Sequence, residues 1–300
     1  MKATIFYLLV ALNIFLSGDC KAEGEWLSTP ESLAQFRSQV ESLKPVATAI
    51  ELFSVQDISI KLDMRDIPIR IYNPGGPGLK PVLIYVHGAC WVAGSLDSHD
   101  EVARYLAKES DSIVIGIDYR LAPEFKYPAA HNDVYDAVKW IWNNSESLNI
   151  DKSKFAIGGE SAGAYFAAAT TLRASKDPDA PQISFQLLVY AALDGGGSSW
   201  TECKAQYFEN TADVRSDFGS PLWAKDLADV PPTFNIFGQY EISRVEEELF
   251  MRKLADQGVL THSFMVENVE HDVVKWAKVT GDLVAHKKAV EYIKMGFADD

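Results

Sequence analysis

The chain has 300 residues, 47% apolar and 23% charged, the balance of an ordinary globular protein and not of a disordered, collagenous or low-complexity one. Its formal net charge of −14 sets an acidic surface against phosphate backbones and anionic membranes, which argues against nucleic-acid partners and electrostatic membrane attachment. Three cysteines are too few for a disulfide-built scaffold.

Met1-Lys2, the apolar run Ala3–Ser17 and the small-residue site Cys20-Lys21-Ala22 have the layout of a cleaved signal peptide over residues 1–22. The apolar run is shorter than the roughly 20 residues of a membrane span, so no stable membrane insertion is expected after cleavage. The mature chain, 23–300, is then expected to be secreted or periplasmic. In an oxidising compartment Cys90 and Cys203 could pair, or both could be buried thiols.

Ser28-Thr29-Pro30-Glu31 reads as a helix start, followed by an apolar stripe of Leu33, Phe36, Val40 and Leu43. Residues 52–61 and 66–73 alternate as strands do, and Gly75-Gly76-Pro77-Gly78 is a turn cluster. From Pro81 the pattern changes to short continuous apolar runs: 82–86, 113–117, 155–157, 185–190, 234–237 and 263–266. Strands buried on both faces read this way and are usually parallel. Helical periodicity lies between them at 132–143, 162–173, 244–257 and 282–295. In 244–257 the expected apolar stripe is Val245, Leu249 and Leu254, which would turn Glu246 to solvent. The alternation predicts an α/β fold around a mostly parallel sheet flanked by helices. Two segments break the rhythm, 23–50 and 192–230, and are expected to form a small cap.

Gly159-Glu160-Ser161-Ala162-Gly163 fits G-x-S-x-G and joins a strand run to a helical run. That context is what a nucleophile elbow needs, a tight turn presenting the Ser161 hydroxyl. His87-Gly88-Ala89-Cys90-Trp91 follows an earlier strand, where an oxyanion loop begins. The expected donors are the amides of Gly88, Ala89 and Ala162. Of the six histidines, His271 lies on the loop after the last strand run.

These motifs resemble the hormone-sensitive-lipase-like branch of the α/β-hydrolases, a family of esterases. The resemblance runs from about Leu83 to about Gly258 and again around His271. It rests on HGACWVAGSLDSHD (87–100), Asp118–Glu124 with Pro128-Ala129, the elbow Gly159–Ala164, Ser220-Pro221 and Pro231-Pro232. It departs in two places: the second and third loop glycines are Ala89 and Cys90, and the acid position reads Glu241 instead of Asp. The resemblance implies an α/β-hydrolase fold and a serine carboxylic-ester hydrolase working on short-chain or small esters through an acyl-enzyme. Ser161, Glu241 and His271 would form the triad, with no metal and no cofactor. Glu246 and Asp229 are the neighbouring carboxylates that compete with Glu241 for the acid position. An arylformamidase-like amide hydrolase and a non-catalytic ligand-binding protein on the same fold are the alternative readings. The expected partner is a small-molecule ester.

Overall fold

A computed structural model describes residues 27–44, 50–271, 273–279 and 283–298. The expected signal peptide, 1–22, lies outside the described residues, as does part of the expected cap at 23–50.

Eight strands form one sheet in the order β1-β2-β4-β3-β5-β6-β7-β8. They are β1 Ser54–Lys61, β2 Asp66–Asn73, β3 Lys80–Val86, β4 Ile113–Ile117, β5 Ile150–Glu160, β6 Gln186–Val189, β7 Thr233–Gly238 and β8 Thr261–Val266. The first two pairings, β1 with β2 and β2 with β4, are antiparallel, and every other pairing is parallel. The continuous apolar runs are the parallel strands because both faces of the sheet are covered. Along β3, Val82, Ile84 and Val86 enter one core while Leu83 and Tyr85 enter the other. On the first face lie α3 (Ala129–Asn143), α4 (Ala162–Ala174) and α7 (Arg244–Asp256). On the second lie α2 (Asp100–Ser110), α8 (Val273–Lys278) and α9 (Val284–Phe297).

The predicted first helix is α1, Pro30–Glu41. Thr29 caps it and Ser32 answers back to the cap in a capping box, while Val40 and Leu43 bury its stripe. The 192–230 segment contains two short helices, α5 (Thr201–Tyr207) and α6 (Thr211–Val214), and a 3-10 turn, Pro221–Trp223. The two expected cap segments touch: Leu27 N–H donates to Glu202 Oε2 at 3.1 Å, and Gln206 Nε2 donates to Leu27 O at 3.1 Å.

One expectation fails on α7. Its buried face is Glu247, Phe250, Met251 and Leu254, while Val245 is 66% and Leu249 39% exposed. The sequence pattern steered around Glu247 as a charge, but that carboxyl is fully buried against β7 and pushed well above its usual range by desolvation, with the Glu241 carboxylate adding to it.

The chain leaves β3 to one side for β4 and then crosses to the other side for β5. That reversal opens a crevice at the C-terminal ends of β3 and β5, where ligands of open α/β sheets sit. The loops after β3, β5, β7 and β8 all emerge on this edge.

Candidate active site

Ser161 sits between β5 and α4 with φ 54° and ψ −119°, a left-handed backbone that a residue with a Cβ occupies only under strain. Such a residue costs about 1–3 kcal/mol and persists when its surroundings over-determine it. The surroundings here are glycine contacts: a Cβ on Gly163 would lie 1.9 Å from Val86 O, and one on Gly159 2.3 Å from the same atom. The G-x-S-x-G spacing is therefore the condition for packing the elbow against the end of β3. Ser161 N–H donates to Val189 O at 2.8 Å, fixing the turn on β6 as well.

Three side chains from three loops meet in a row. Ser161 Oγ lies 3.0 Å from His271 Nε2, and His271 Nδ1 lies 2.8 Å from Glu241 Oε2. The carboxylate accepts from Nδ1–H, which leaves Nε2 as the acceptor for the serine proton. Glu241 has a fully buried side chain, and its other oxygen accepts from Ser243 N–H at 3.2 Å and Ser243 Oγ at 3.0 Å. The extra methylene of glutamate is taken up by this local turn, in which Ser243 holds the carboxylate. Ser243 was not singled out by sequence, though a hydroxyl two residues beyond an acid at a helix start is the available signal.

The loop after β3 corrects one expected donor. Gly88 N–H donates to the side chain of Glu160, at 2.6 Å from Oε1, and is not available to a substrate. Ala89, Cys90 and Trp91 follow with φ of 81°, 58° and 61°. In this conformation the amides of Ala89 and Cys90 have no acceptor among the described residues, nor has Ala162, the first residue of α4. Ala89, Cys90 and Ala162 are thus among the amide donors without an acceptor among the described residues.

Glu160, next to the nucleophile, is wholly buried. Besides Gly88 it takes the Tyr85 hydroxyl on Oε2, and His99 Nε2 lies 2.8 Å from Oε1, off the line of a good hydrogen bond. Trp276 Nε1 donates to Tyr85 Oη at 2.9 Å, tying α8 into the same row. Burial, and after it the Glu160 carboxylate, keep the Tyr85 phenol protonated. His87 stacks on Tyr119 with ring centroids 4.4 Å apart, and burial lowers it to about 3. It is a neutral support of the loop. From outside, Arg37 of α1 donates to Val92 O at 2.7 Å and Ala122 O at 2.9 Å while paired with Glu124.

The cap closes the site. Trp200, the residue before α5, places its ring 4.4 Å from the His271 ring, and its buried Nε1 has no partner among the described residues. Ser161 is 7% exposed. Cys203 of α5 is bonded to Cys90 of the loop after β3, so of the two states left open by sequence the paired one is realised. Glu246, expected to face solvent, instead accepts from Leu193 N–H at 3.1 Å and Asp194 N–H at 3.0 Å and also takes the Ser199 hydroxyl. It anchors the loop after β6 that leads to Trp200. The hydrogen bonds of the His271 ring go to Glu241 and Ser161, not to Asp229, the other competing carboxylate.

A family model described as the alpha/beta hydrolase fold matches residues 83–275. An arylesterase of Saccharolobus solfataricus is 32% identical over 231 residues, which cover 72% of this chain and 76% of that protein. The esterase LipI of Mycobacterium tuberculosis is 30% identical over 278 residues, 84% of this chain and 85% of that protein. Among solved structures, an esterase of Pyrobaculum calidifontis has a TM-score of 0.82 and 32% identity, covering 89% of this chain and 94% of that one. Elbow, hydrogen-bonded row, sheet order and relatives agree, and the chain belongs to the alpha/beta hydrolase family as a serine carboxylesterase of the hormone-sensitive-lipase-like branch.

Proposed function

We propose that the protein hydrolyses small carboxylic esters by acyl transfer through Ser161. The carrying observation is the row Ser161–His271–Glu241, at 3.0 and 2.8 Å. His271 Nε2 takes the Ser161 proton as Oγ attacks the ester carbonyl. Glu241 keeps the proton on Nδ1 and stabilises the imidazolium. The amides of Ala89, Cys90 and Ala162 receive the developing oxyanion, each such donor being worth roughly 10²–10³ in rate. His271 then gives its proton to the leaving alcohol, and water repeats the sequence on the acyl-enzyme. Trp200 over His271 and the low exposure of Ser161 leave a narrow approach, which favours short acyl chains and small alcohols.

Ser161→Ala is expected to abolish hydrolysis of p-nitrophenyl acetate with the fold intact, a loss of several orders of magnitude. Residual turnover within about tenfold of the parent would overturn the assignment. A series of p-nitrophenyl esters from acetate to palmitate, run beside N-formyl amides, tests the substrate class. Rates rising with chain length, or faster cleavage of formamides than of acetates, would contradict it.

The reading includes export, supported by the basic start and apolar run ahead of Lys21-Ala22. N-terminal sequencing of the secreted or periplasmic fraction should begin near Glu23. An intact Met1 in the cytoplasmic pool would count against it.

A further inference from the structure

The two halves of the site are held by different parts of the chain, and one covalent bond joins them. Cys90, in the loop after β3, and Cys203, in α5, are 113 residues apart in sequence with Cα atoms 5.0 Å apart. At one end of the bond, Cys90 supplies an amide with no acceptor among the described residues. At the other, Trp200 lies three residues before Cys203, one helical turn away, with its ring 4.4 Å from His271.

Both ends of the bond have an unusual backbone. Ala89, Cys90 and Trp91 form a run of three left-handed residues, none of them glycine, in a loop whose amides must keep one direction. Helix α5 has only seven residues, its first position lacks a side-chain cap, and Trp200 itself is left-handed at φ 55°. Arg37 fixes the loop beyond Trp91, at Val92 O, and Glu160 fixes it before Ala89, at Gly88 N–H. Between those two anchors Ala122 N–H donates to Trp91 O at 3.0 Å and the Trp91 ring stacks on Tyr207 of α5, while the residue with the free amide, Cys90, is tied down by its sulfur. Glu246 anchors the chain up to Ser199, and Leu27 holds Glu202. Between them stands Trp200.

We propose that the Cys90–Cys203 disulfide is a positioning strap for catalysis, aiming the Cys90 amide at the substrate carbonyl oxygen and seating Trp200 on His271. Turnover then depends on the oxidation state of the pair. This rests on the roles given above to Ser161 and the Cys90 amide. Reduction needs an external dithiol. Two electrons and two protons pass to the pair, the S–S bond breaks into one thiol on each cysteine, and the reductant closes into its own cyclic disulfide. Cys90 is partly exposed while Cys203 is buried, so attack is expected at the Cys90 sulfur.

The test uses the full mature chain. Steady-state kinetics with p-nitrophenyl acetate are measured on oxidised protein, on protein reduced with dithiothreitol under native conditions, and on Cys203→Ser. Thiol titration and near-UV circular dichroism accompany each sample. The inhibition constant of a trifluoromethyl ketone, which forms a tetrahedral adduct on the nucleophile, is measured in parallel. On reduction, kcat is expected to fall at least tenfold with KM changed less than threefold, and the ketone should weaken by the same factor as kcat/KM. Reoxidation restores the parent and leaves Cys203→Ser unchanged. Reduced protein with two titratable thiols, intact near-UV signal and kcat within twofold of the oxidised form overturns the proposal. So does loss of the near-UV signal in step with activity, because the bond would then serve the fold alone. If Cys203→Ser does not fold, the reduced parent decides. Retained activity in Ser161→Ala is a different failure, striking the nucleophile assignment whatever the thiols do.

Discussion

At the scale of single residues, three consecutive-looking acids of one short segment do three different things. Glu241 faces His271, Glu246 holds backbone amides of the cap, and Glu247 is buried without charge against β7. The family resemblance singled out the first, and the structure places it 2.8 Å from His271 Nδ1. Sequence spacing misread the second because the partners of Glu246 lie some fifty residues earlier in the chain. Substitution should separate them. Glu241→Gln presents an amide to Nδ1, favours the wrong tautomer and fails to stabilise the imidazolium. By analogy with the Asp→Asn change in serine proteases, kcat should fall by up to about 10⁴. Glu246→Gln keeps one oxygen for the two amides but loses the charge that holds Ser199. Trp200 then shifts, and the loss should be milder, no more than about 10². Kinetics of the two variants on one small ester check the order. Near-parental turnover in Glu241→Gln with collapse in Glu246→Gln would show that the acid is misassigned.

At the scale of elements, the strands were the most legible part of the chain. Short apolar runs mark strands where both faces are covered, as in β3 to β7, and all six runs became parallel strands, the partly exposed edge strand β8 included. Helix α2 was missed because its first turn opens on Asp100-Glu101 and its buried stripe, Val102, Ala103, Leu106 and Ala107, is half alanine. Ser161 stood out by its strand–turn–helix motif, His271 by its loop and Glu241 by the family's acid segment, and the structure brings the three side chains into one hydrogen-bonded row. The donors were half legible: nothing in the sequence shows that Gly88 is committed to Glu160, since that requires knowing that a side chain beside the nucleophile points back to β3. The cap was legible as an interruption and not as a structure, because its order comes from distant partners: Glu246, Leu27 and Cys90. Helix α7 offers a direct check on the corrected face. Phe250→Ala should destabilise the protein by about 3–5 kcal/mol, as expected for removing a fully buried aromatic. Val245→Ala and Leu249→Ala, on the exposed side, should stay within about 0.5 kcal/mol of the parent. Urea unfolding of the three variants measures this, and a large loss at Leu249 with none at Phe250 would restore the stripe expected from sequence.

At the scale of the whole molecule, the cap, the helical layer and the elbow helix converge on one neutral imidazole. His131 of α3 accepts the Tyr207 hydroxyl on Nδ1 at 2.6 Å and donates Nε2–H to Phe218 O at 3.0 Å, so both nitrogens are committed to the cap. Burial, above all, lowers it to about 3, against an unfolded value near 6.5. Between those two values the unfolded chain binds a proton that the folded chain does not, so stability contributed by His131 is complete above about pH 6.5 and is lost as the pH falls toward 3. The slope is about 1.4 kcal/mol per pH unit for one such group. His87, lowered to about 3, acts in the same direction. Asp118 acts in the other: its carboxyl is raised to about 6 by burial first and Glu41 next, so the folded state binds the extra proton and gains on acidification from about pH 6 to 4. The net curve of the parent therefore mixes signs, and a difference between two proteins isolates one group. His131→Gln retains an acceptor and a donor but cannot titrate. The parent should be the more stable protein at pH 7, and its advantage should shrink by about 1.4 kcal/mol per unit between pH 6 and 4. Urea midpoints of both proteins at half-unit intervals give that difference directly. An advantage that stays constant across the interval would mean that His131 is protonated in the folded protein, and that the junction of cap and sheet is held by an imidazolium and not by the neutral ring.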